Sequence, residues 1–504
     1  MASLAPPLLK ALLLFSLLLT LLPRTAANRI KTLKQCAGSS IPVYPPNNHN
    51  YNRLKALSFR SNFATPLAIA EARNEWQVSQ LVICARKAHI RVCARSGGHS
   101  LIGHNLCKGL VIDLSAMRQV SIKPGFVAFI QPGAVLGEVL WTLHKSKRWM
   151  AAGVCPAVGF AGYVLGGGHG PYEGKLGIAC DSMLSVRMVD RFGKILDVSR
   201  TKRPFLFWAM CGAGGGQFGI VTSFRWRTVS SKQFDNAVVF RFRWPASRGG
   251  ELMDKWQRYG EWGGAVWFRI EIYLAKRDKA VFGYGACYGV KNVAECMGRL
   301  NKAPFFNTPQ RSTTYISTVR NALDLHAFFG PKGGWGSYRA NNLYEAMLQQ
   351  RGTESGQANE RIYQSTFLRS ADKTGPSRQF WQQYVNFCQS AFGARSVPWV
   401  VCELNLFNNA IDRKQNNAFP FRQANLITHF IVGGGSSRDT RFVYNRMKKY
   451  LRPFTIGVYV NYPELFLENY AKSYWGANLG WLKRVKKLYD PRNFFMNPQP
   501  IPAS

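Results

Sequence analysis

The chain has 504 residues, of which 46% are hydrophobic and 18% are charged. This composition is typical of a globular protein with a large core, allows two domains, and excludes a disordered chain. The 66 Lys and Arg residues outnumber the 26 Asp and Glu residues and give a formal net charge of +40. This charge indicates either contact with polyanions or a solvated basic surface that keeps the protein soluble.

The first 27 residues have the pattern of a secretory signal peptide. Lys10 provides the positive start, residues 11–22 form the apolar centre, and residues 25–27 form a small-residue cleavage site. An uncleaved membrane anchor is the alternative, although the apolar stretch is short for a bilayer span. Since no later stretch is long and apolar enough to span a membrane, we expect a secreted, extracellular protein that is not transmembrane.

A helix, two strands and a glycine turn are predicted next. Apolar residues recur at helical spacing over 78–88, and residues 89–94 and 111–114 have the composition of short strands. The loop between these strands holds Arg95, Ser96, Gly97, Gly98, His99 and Ser100. Adjacent glycines let backbone N–H groups approach a ligand and form a concave anion site. His99 therefore lies where ligand-binding residues are common, and an ordinary exposed turn is the alternative.

Two more glycine-rich stretches follow, at residues 153–170 and 212–219. The glycine density of the first predicts a loop wrapped around a ligand rather than a helix. Taken alone, Cys155 in this loop would be a buried small side chain or half of a disulfide. Together, the His99 imidazole and the Cys155 thiol suit covalent capture of a flavin. The glycine spacings match neither a phosphate-binding P-loop nor a Rossmann fingerprint.

Residues 184–190 and 195–198 predict a hairpin with a glycine turn, and residues 236–244 alternate like a strand that opens a second domain. Near the C-terminus, the distinctive segments are residues 459–463, 489–495 and 497–502.

These stretches together resemble the berberine bridge enzyme-like family of FAD-linked oxidases, within the vanillyl-alcohol oxidase superfamily. The resemblance is dense over residues 60–225 and 455–502 and thin over 230–400. It implies an α+β fold, in which a PCMH-type FAD-binding domain of two subdomains carries an inserted substrate domain of antiparallel sheet backed by helices. The expected boundaries are 1–27 for the signal peptide, 28–228 for the FAD-binding domain, 229–450 for the substrate domain, and 451–504 for a C-terminal segment that returns to the FAD-binding domain.

The resemblance implies FAD held by two covalent bonds, one from His99 to the flavin 8α-methyl group and one from Cys155 to C6. Its other expected contacts with the cofactor are Arg95, Ser96, Gly97, Gly98, Ser100, Gly159, Gly162, Gly166, Gly167, Gly168, Gly219, Ile220, Val221 and Asn497. It also implies a Cys36–Cys84 disulfide, while the other cysteines are left either bonded or buried. An odd count of eleven cysteines leaves one special thiol, and Cys155 would be that thiol. No metal site is expected, because the paired Cys and His spacings of zinc sites are absent from the sequence.

By the same resemblance, hydride passes from a substrate alcohol to the flavin, and O2 reoxidises the flavin to give H2O2. Tyr462 matches the catalytic tyrosine of the family and would take the hydroxyl proton, provided that its pKa falls below the usual value near 10; a packed aromatic is the alternative. His169 replaces an aromatic residue, either as a second acid/base group or as a spacer. Val158 matches an oxygen gate and favours an oxidase.

Several residues depart from the family pattern and leave the base and the substrate open. Tyr163 replaces a histidine, Leu101 replaces a tyrosine, and Asn405 stands where a carboxylate is common. Phe430 provides no carboxylate or amide to assist the base, and strand alternation directs His429 away from the site. The remaining departures are Phe407, Asn408, Asn409 and Phe421.

The function expected from the sequence is therefore oxidation of a carbohydrate at C1 to a lactone. The first alternative is oxidation of an aromatic alcohol or alkaloid-like amine, which would need an apolar pocket. The second is a basic polyanion-binding protein that keeps the flavin fold without turnover. Basic clusters at residues 145–148 and 483–487 point to an acidic polysaccharide or another anionic surface as a partner, while no signature of specific nucleic-acid binding is present.

Overall fold

The computed structural model describes residues 25–55, 64–259, 264–275, 278–329, 361–368, 376–390, 399–407, 416–433, 437–464 and 467–503. Residues 1–24 of the predicted signal peptide, as well as Asn408 and Asn409, lie outside the described residues. The expected cleavage site falls where helix α1 (Ala26–Ala37) begins, since the Thr25 hydroxyl accepts a hydrogen bond from the backbone N–H of Asn28. Within the described residues, no helix is both long and apolar enough to cross a membrane.

The first sheet is mixed and has the strand order β1-β2-β4-β3. Strands β2 and β3 run parallel to β4, whereas β1 pairs antiparallel with β2. The elements are β1 (Val43–Tyr44), α2 (His49–Lys55), β2 (Ala68–Glu71), α3 (Glu75–Lys87), β3 (Val92–Arg95) and β4 (Leu110–Asp113). Helix α3 confirms the predicted helix, and its residues Val78, Leu81 and Ala85 are buried against this sheet. Strand β3 begins three residues later than predicted because His89, at φ 53°, turns the chain after the helix.

The second sheet is antiparallel, in the order β5-β6-β10-β8-β9. Strands β8 and β9 form the predicted hairpin, and Gly193 supplies the left-handed turn at φ +86°. Strands β7 and β11 form a separate two-stranded antiparallel pair. The elements are β5 (Val120–Lys123), β6 (Val127–Ile130), α4 (Leu136–Lys145), β7 (Arg148–Trp149), α5 (Phe160–Leu165), α6 (Glu173–Leu176), β8 (Met183–Val189), β9 (Ile195–Ser199), α7 (Pro204–Ala209), β10 (Ile220–Arg227) and β11 (Val229–Ser230).

The third sheet is antiparallel throughout, in the order β15-β12-β14-β13-β17-β18-β16-β19. Its elements are β12 (Ala237–Pro245), α8 (Gly249–Gln257), β13 (Val266–Ala275), β14 (Asp278–Cys287), α9 (Val293–Asn301), β15 (Ser312–Val319), α10 (Ala322–Phe328), β16 (Arg361–Leu368), α11 (Arg378–Ser390), β17 (Trp399–Leu406), β18 (Leu426–Gly433), α12 (Ser437–Leu451) and β19 (Thr455–Gly457). Two helices complete the described chain: α13 (Tyr470–Trp475) and α14 (Leu479–Tyr489).

Alternation along the strands gives the third sheet one apolar face and one face with polar groups. Ile270 and Leu404 lie in the apolar core with Trp256 of α8 and Trp381 of α11, so helices cover that face. This arrangement confirms the α+β fold and the helix-backed antiparallel sheet. Two strand pairs cross the expected domain boundaries. Strand β11 of the expected substrate domain pairs with β7 of the FAD-binding domain, and β19 of the C-terminal segment pairs with β16 of the substrate domain.

Ten cysteines form five disulfides: Cys36–Cys84, Cys93–Cys107, Cys180–Cys211, Cys287–Cys296 and Cys388–Cys402. The Cys36–Cys84 bond is the one that the resemblance implied. Cys155 lies outside all five disulfides and is half-buried, as expected for the thiol left over from an odd count.

Candidate active site

One cavity of about 990 Å³ brings together most of the predicted site residues. Its volume is at the upper end of the range for small-molecule and cofactor sites. One side is built from the glycine-rich turns and the other from the polar face of the third sheet. The predicted residues that line it are Ser96, Gly97, Gly98, His99, Ser100, Cys155, Val158, Gly159, Gly162, His169, Gly219, Ile220, Val221, Tyr462 and Asn497.

The turn that carries His99 touches the turn that follows Cys155. A Cβ on Gly97 would lie 2.6 Å from Gly159 Cα, and a Cβ on Gly159 would lie 2.5 Å from Ser96 Oγ. Because no side chain fits between these backbones, both positions require glycine. The backbone N–H of Val158 donates to the Cys155 carbonyl at 3.3 Å and closes the second turn. The fold therefore brings the imidazole loop and the thiol loop together at one cavity.

Arg95 supports the first turn from behind and is not among the lining residues. Its guanidinium pairs with the buried carboxylate of Asp113 at 2.5 Å. Gly98 has φ +72°, and a Cβ there would lie 2.8 Å from Arg95 Nη2. Arg95 thus fixes the turn rather than lining the cavity.

The second glycine stretch is not a continuous loop, so that prediction was wrong for residues 160–165. These residues form helix α5. Burial of Phe160, Val164 and Leu165 in the core stabilises the helix and offsets the low helix propensity of Gly162. A Cβ on Gly162 would meet no atom within 4 Å, so this bare backbone faces open space at the cavity wall.

Gly166, Gly167 and Gly168 do not line the cavity either. A Cβ on these glycines would collide with Asn461, Phe419 and Ala179, respectively. They let neighbouring elements approach the wall from behind.

The C-terminal segment forms hydrogen bonds with the second glycine stretch. The Tyr459 hydroxyl accepts hydrogen bonds from the backbone N–H groups of Gly168 at 2.8 Å and His169 at 3.2 Å. The Asn461 amide donates to the Tyr163 carbonyl at 2.8 Å. These bonds place Tyr462, the next residue along the chain, at the cavity.

A second set of bonds fastens the third glycine stretch. The Asn497 amide donates to the Gly215 carbonyl at 3.3 Å. The Lys486 ammonium, fully buried, donates to the Gln217 carbonyl at 2.7 Å and to the Asp490 carboxylate at 2.7 Å. The C-terminal segment therefore shapes the glycine-rich side of the cavity.

Three titratable side chains form a row across the third sheet. Glu271 of β13 is the cross-strand neighbour of Glu403 of β17, and Glu403 is the neighbour of His429 of β18. All three line the cavity. The expectation that His429 points away was wrong. The register directs Phe430 into the apolar core beside Leu404 and turns His429 to the opposite face.

Arg269 joins the two carboxylates of the row. Its Nη2 lies 2.8 Å from Glu271 Oε1, and its Nη1 contacts Glu403. The Tyr284 hydroxyl also donates to Glu271 Oε1, at 2.7 Å. Burial and the neighbouring Glu403 raise the pKa of Glu271 despite Arg269. Burial opposes ionisation of Glu403 too, but Arg269 and the hydrogen bond to His429 outweigh it and lower the pKa of Glu403. Of the two carboxylates, Glu271 is therefore the one that takes up a proton first as the pH falls.

His429 forms a carboxylate–imidazole pair with Glu403, with 3.1 Å between Nδ1 and Oε2. Burial lowers the pKa of His429, although Glu403 acts in the opposite direction. A neutral imidazole beside an ionised carboxylate carries its proton on Nδ1, which leaves Nε2 as a hydrogen-bond acceptor. That Nε2 is buried and has no hydrogen-bond partner among the described residues.

Tyr462 stacks on His429, with ring centroids 4.2 Å apart and an angle of 27° between the planes. Burial raises the pKa of Tyr462 well above its usual value, and Glu403, Cys155 and Tyr459 reinforce that shift. The protein groups around Tyr462 therefore keep it a neutral phenol, without the lowered pKa that a tyrosine base would need.

His169 forms a second carboxylate–imidazole pair, with 2.6 Å between its Nδ1 and Glu173 Oε2. Its ring meets that of His429 edge to face at 5.4 Å. The two pairs therefore lie side by side at the cavity wall.

Several buried polar atoms of the cavity wall have no hydrogen-bond partner within the described ranges. On the sheet side they are Trp267 Nε1, Arg269 Nε, Asn405 Nδ2 and His429 Nε2. On the glycine-rich side they are both amide atoms of Asn105. Unpaired buried polar groups are costly, so such a wall fits a ligand that supplies donors and acceptors. With the bare glycine backbone, these atoms fit a polar, phosphate-containing cofactor such as FAD on one side and a polar substrate on the other.

Sequence reasoning missed Arg269, Glu271 and Glu403. A signal was present, because charged residues alternate with apolar ones over residues 268–272. Asn405 lacks the carboxylate expected there, but Glu403, two residues earlier on the same strand face, provides one. Tyr163 and Leu101, two of the departures, line the cavity.

Comparisons with known proteins agree with this architecture. Residues 66–199 match the family model described as FAD binding domain, and residues 458–502 match the one described as berberine and berberine like. The chain is 26% identical over 456 residues to a chitooligosaccharide oxidase of Gibberella zeae, covering 86% of this chain and 87% of that protein. It is 26% identical over 476 residues to berberine bridge enzyme-like 22 of Arabidopsis thaliana, covering 87% and 84%.

A solved structure has the same fold. It is the glucooligosaccharide oxidase from Acremonium strictum, described as carrying a 6-S-cysteinyl, 8α-N1-histidyl FAD. The TM-score is 0.79 at 20% sequence identity, with 94% of this chain and 99% of that chain covered.

Proposed function

The chain is a member of the berberine bridge enzyme-like FAD-linked oxidoreductases, and from this premise we propose that it is a secreted carbohydrate oxidase. Its substrate is a mono- or oligosaccharide whose C1 hydroxyl is oxidised to a lactone. Each turnover removes a proton and a hydride from the sugar and reduces O2 to H2O2. The observation that carries this proposal is the row Glu271, Glu403 and His429, with unpaired polar atoms beside it, at a cavity bounded by glycine turns.

The sheet side of the cavity supports a carbohydrate. A sugar presents several hydroxyl groups, each a donor and an acceptor, which can satisfy Arg269 Nε, Asn405 Nδ2 and Trp267 Nε1. Aromatic rings at the same wall, among them Tyr284 and Phe329, offer flat faces to the C–H bonds of a sugar ring. An aromatic alcohol or an alkaloid-like amine would leave these polar groups unpaired at a cost of about 1–3 kcal/mol each. These polar groups therefore disfavour an aromatic alcohol or an alkaloid-like amine as the substrate.

On the glycine-rich side, His99 and Cys155 would each hold FAD by one covalent bond. Ser96, Gly97, Gly98, Ser100, Gly159, Gly162, Gly219, Ile220, Val221 and Asn497 would contact it from the wall, while Arg95, Gly166, Gly167 and Gly168 act from behind it. When bound, FAD supplies the acceptor for the substrate hydride and passes the electrons to O2. The contact between Gly97 and Gly159 supports double attachment, because it holds the two reactive side chains on adjoining turns.

Proton removal is assigned to His429 with Tyr462 beside it. The Nε2 lone pair of His429 accepts the hydroxyl proton, and Glu403 stabilises the imidazolium that forms. Tyr462, as a neutral phenol stacked on that imidazole, donates a hydrogen bond that orients the substrate oxygen. The sequence pointed to Tyr462 as the base, and the raised pKa is the reason for assigning it the orienting role.

His169 keeps the second acid/base position that the sequence suggested. Its Nδ1 is fixed by Glu173, and its ring adjoins that of His429. In this role it would receive the proton from His429 and give it up when O2 is reduced to H2O2, so that the proton taken from the sugar ends in the peroxide. Val158, which also lines the cavity, would control access of O2.

Secretion and the domain division are part of the same proposal. Five disulfides within the described residues are typical of an oxidising compartment. The proposed division into residues 28–228, 229–450 and 451–504 is supported by the separate sheets, although two short strand pairs cross it. N-terminal sequencing of protein recovered from culture medium tests both cleavage and secretion.

The activity is tested by measuring peroxide from two substrate panels. The first contains gluco-, xylo- and chitooligosaccharides, and the second contains aromatic alcohols and amines. We expect peroxide with at least one carbohydrate and loss of lactone formation in His429→Gln. Peroxide from the aromatic panel alone would overturn the proposed substrate class.

Covalent attachment has a readout that does not depend on turnover. Acid-precipitated wild-type protein should stay yellow, as should His99→Ala and Cys155→Ala, each of which keeps one bond. The double variant should release its flavin. Flavin that washes out of the precipitated wild type would contradict attachment at these residues.

A further inference from the structure

A surface formed by helices α7 and α14 combines exposed aromatic and basic side chains. We call it the aromatic-basic surface and define it by Phe205 of α7 together with Trp481, Arg484, Lys487 and Leu488 of α14, all of which are exposed. Residues of this surface do not line the cavity of the candidate active site. It therefore has no role in the reaction proposed above.

The two aromatic side chains lie parallel to each other and open to solvent. The Phe205 and Trp481 rings are 6.2 Å apart at an angle of 6°. Their exposed fractions are 64% and 51%, and that of Leu488 is 68%. The outward face of a surface helix is normally polar, whereas Trp481 and Leu488, seven residues apart, make this face of α14 partly apolar. Exposed apolar side chains that lie together are a feature of interaction sites.

The charge of the surface and of the segments that flank it is positive. Residues 199–209 and 479–489 contain six Lys and Arg residues besides the buried Lys486 and no Asp or Glu. The Arg484 guanidinium lies 4.5 Å from the centroid of the Trp481 ring. The nearby acid Asp197 is already paired with Lys202 and Arg187. The positive charge of this surface therefore favours an anionic partner.

We propose that the aromatic-basic surface binds an acidic polysaccharide, a chain of uronate sugars. Sugar rings offer C–H faces to the parallel rings of Phe205 and Trp481, and carboxylates spaced along the chain pair with Arg484 and Lys487. This partner satisfies the apolar and the charged groups together. The five disulfides place the protein where polysaccharides are common and nucleic acids are not.

An anionic membrane fits the surface less well. The opposite face of α14 is committed to the core through Leu482 and Val485. Only Trp481, Leu488 and Phe205 would remain to enter a bilayer, a small fraction of the apolar face of an interfacial helix. The proposal is independent of the carbohydrate oxidase activity, because binding is measured without turnover.

The test is affinity electrophoresis of the whole protein in gels containing polygalacturonate, with neutral dextran as the comparison polymer. One variant removes the rings, Phe205→Ala with Trp481→Ala, and another removes the charges, Arg484→Gln with Lys487→Gln. The matched controls are Trp76→Ala, whose ring is 56% exposed on α3, and Lys123→Gln with Lys302→Gln, two exposed lysines elsewhere.

We expect wild-type protein to be retarded by polygalacturonate and not by dextran. Each surface variant should raise the Kd for polygalacturonate by about tenfold, as expected for central anchor residues of an interface, and each control by less than about twofold. The charge variant should also reduce the slope of log Kd against log salt, whereas the ring variant should leave that slope unchanged.

Two results would overturn the proposal. Equal weakening by the surface variants and the controls would show that binding reflects the net charge of the whole protein. Unchanged polygalacturonate binding in both surface variants, accompanied by lost binding to phosphatidylserine vesicles or to oligonucleotide, would assign the surface to that other partner.

Discussion

Replacing Glu403 by Gln isolates the part of the site on which the proposed proton transfer depends. The substitution keeps the shape of the side chain but removes its charge. The Glu403 carboxylate contacts Arg269 and Nδ1 of His429, and it adjoins the side chain of Glu271. Arg269 retains Glu271 as a partner, so its guanidinium does not become an isolated buried charge. His429 loses the group that fixes its proton on Nδ1.

The expected losses of stability and of kcat follow from these contacts. Removing the only partner of a buried charge costs about 3–5 kcal/mol, so with Glu271 in place we expect a loss of about 1–3 kcal/mol in the free energy of unfolding. The catalytic effect should be larger. A positioned general base contributes about 10²–10⁴-fold, so kcat should fall by about that factor when Nε2 is no longer held as an acceptor.

The pH profile separates this role from a structural one. Glu403 raises the pKa of His429, so Glu403→Gln should lower that pKa and move the acid limb of kcat/KM to lower pH. Glu271→Gln is the matched control, because it touches the same Arg269 without contacting His429. Glu271→Gln should change KM and leave the acid limb of the kcat/KM profile at its wild-type pH. An NMR titration of the His429 imidazole provides the same comparison without a substrate.

The reasoning would be refuted by a Glu403→Gln variant that keeps kcat within about threefold of wild type, since that is far below a general-base contribution. It would also be refuted by an equal shift of the acid limb in Glu271→Gln. In that case the row would act through its total charge rather than through the contact between Glu403 and His429.

The remaining predictions concern stability and are checked by denaturant unfolding. Gly97→Ala should destabilise the folded protein by about 1–3 kcal/mol, because the new Cβ would lie 2.6 Å from backbone atoms. Gly298→Ala in helix α9 is the control and should stabilise the folded protein by about 0.5–1 kcal/mol, because its Cβ would meet no atom within 4 Å. Lys486→Met should lower the free energy of unfolding by about 3–5 kcal/mol, because it leaves the Asp490 carboxylate buried without its cation. Adding Asp490→Asn should recover part of that loss. No recovery in the double variant would contradict the pairing. Burial raises the pKa of Glu464 to about 7 in the folded protein, even though the Lys448 ammonium lies 3.1 Å from its carboxylate and favours ionisation. The contribution of Glu464 to stability is therefore full below the unfolded pKa near 4.5 and is lost as the pH rises through 7. The contribution is at most about 3 kcal/mol, and Glu464→Gln should flatten the pH dependence over that window; an unchanged slope would refute it.

The sequence alone determined the features that depend on local chemistry. Glycine runs mark places where backbones must come close, and the contact between Gly97 and Gly159 is such a place. The odd cysteine count required one thiol outside the disulfides, and the glycine-rich stretch around Cys155 pointed to that residue. Apolar spacing located helix α3 and strand β12. These signals are readable because each is contained in a short segment whose conformation its own residues restrict.

Only the tertiary structure decided which distant residues meet. The row Glu271, Glu403 and His429 depends on the register of three strands, which is set by packing across the whole sheet. Both faces of these strands are enclosed, one by the core and one by the cavity wall. Ile427 is therefore buried on the same face as His429, and polarity along the strand does not reveal which way His429 points. Burial, another property of the assembled fold, raises the pKa of Tyr462 and lowers that of His429, and this difference is why we propose the histidine as the proton acceptor.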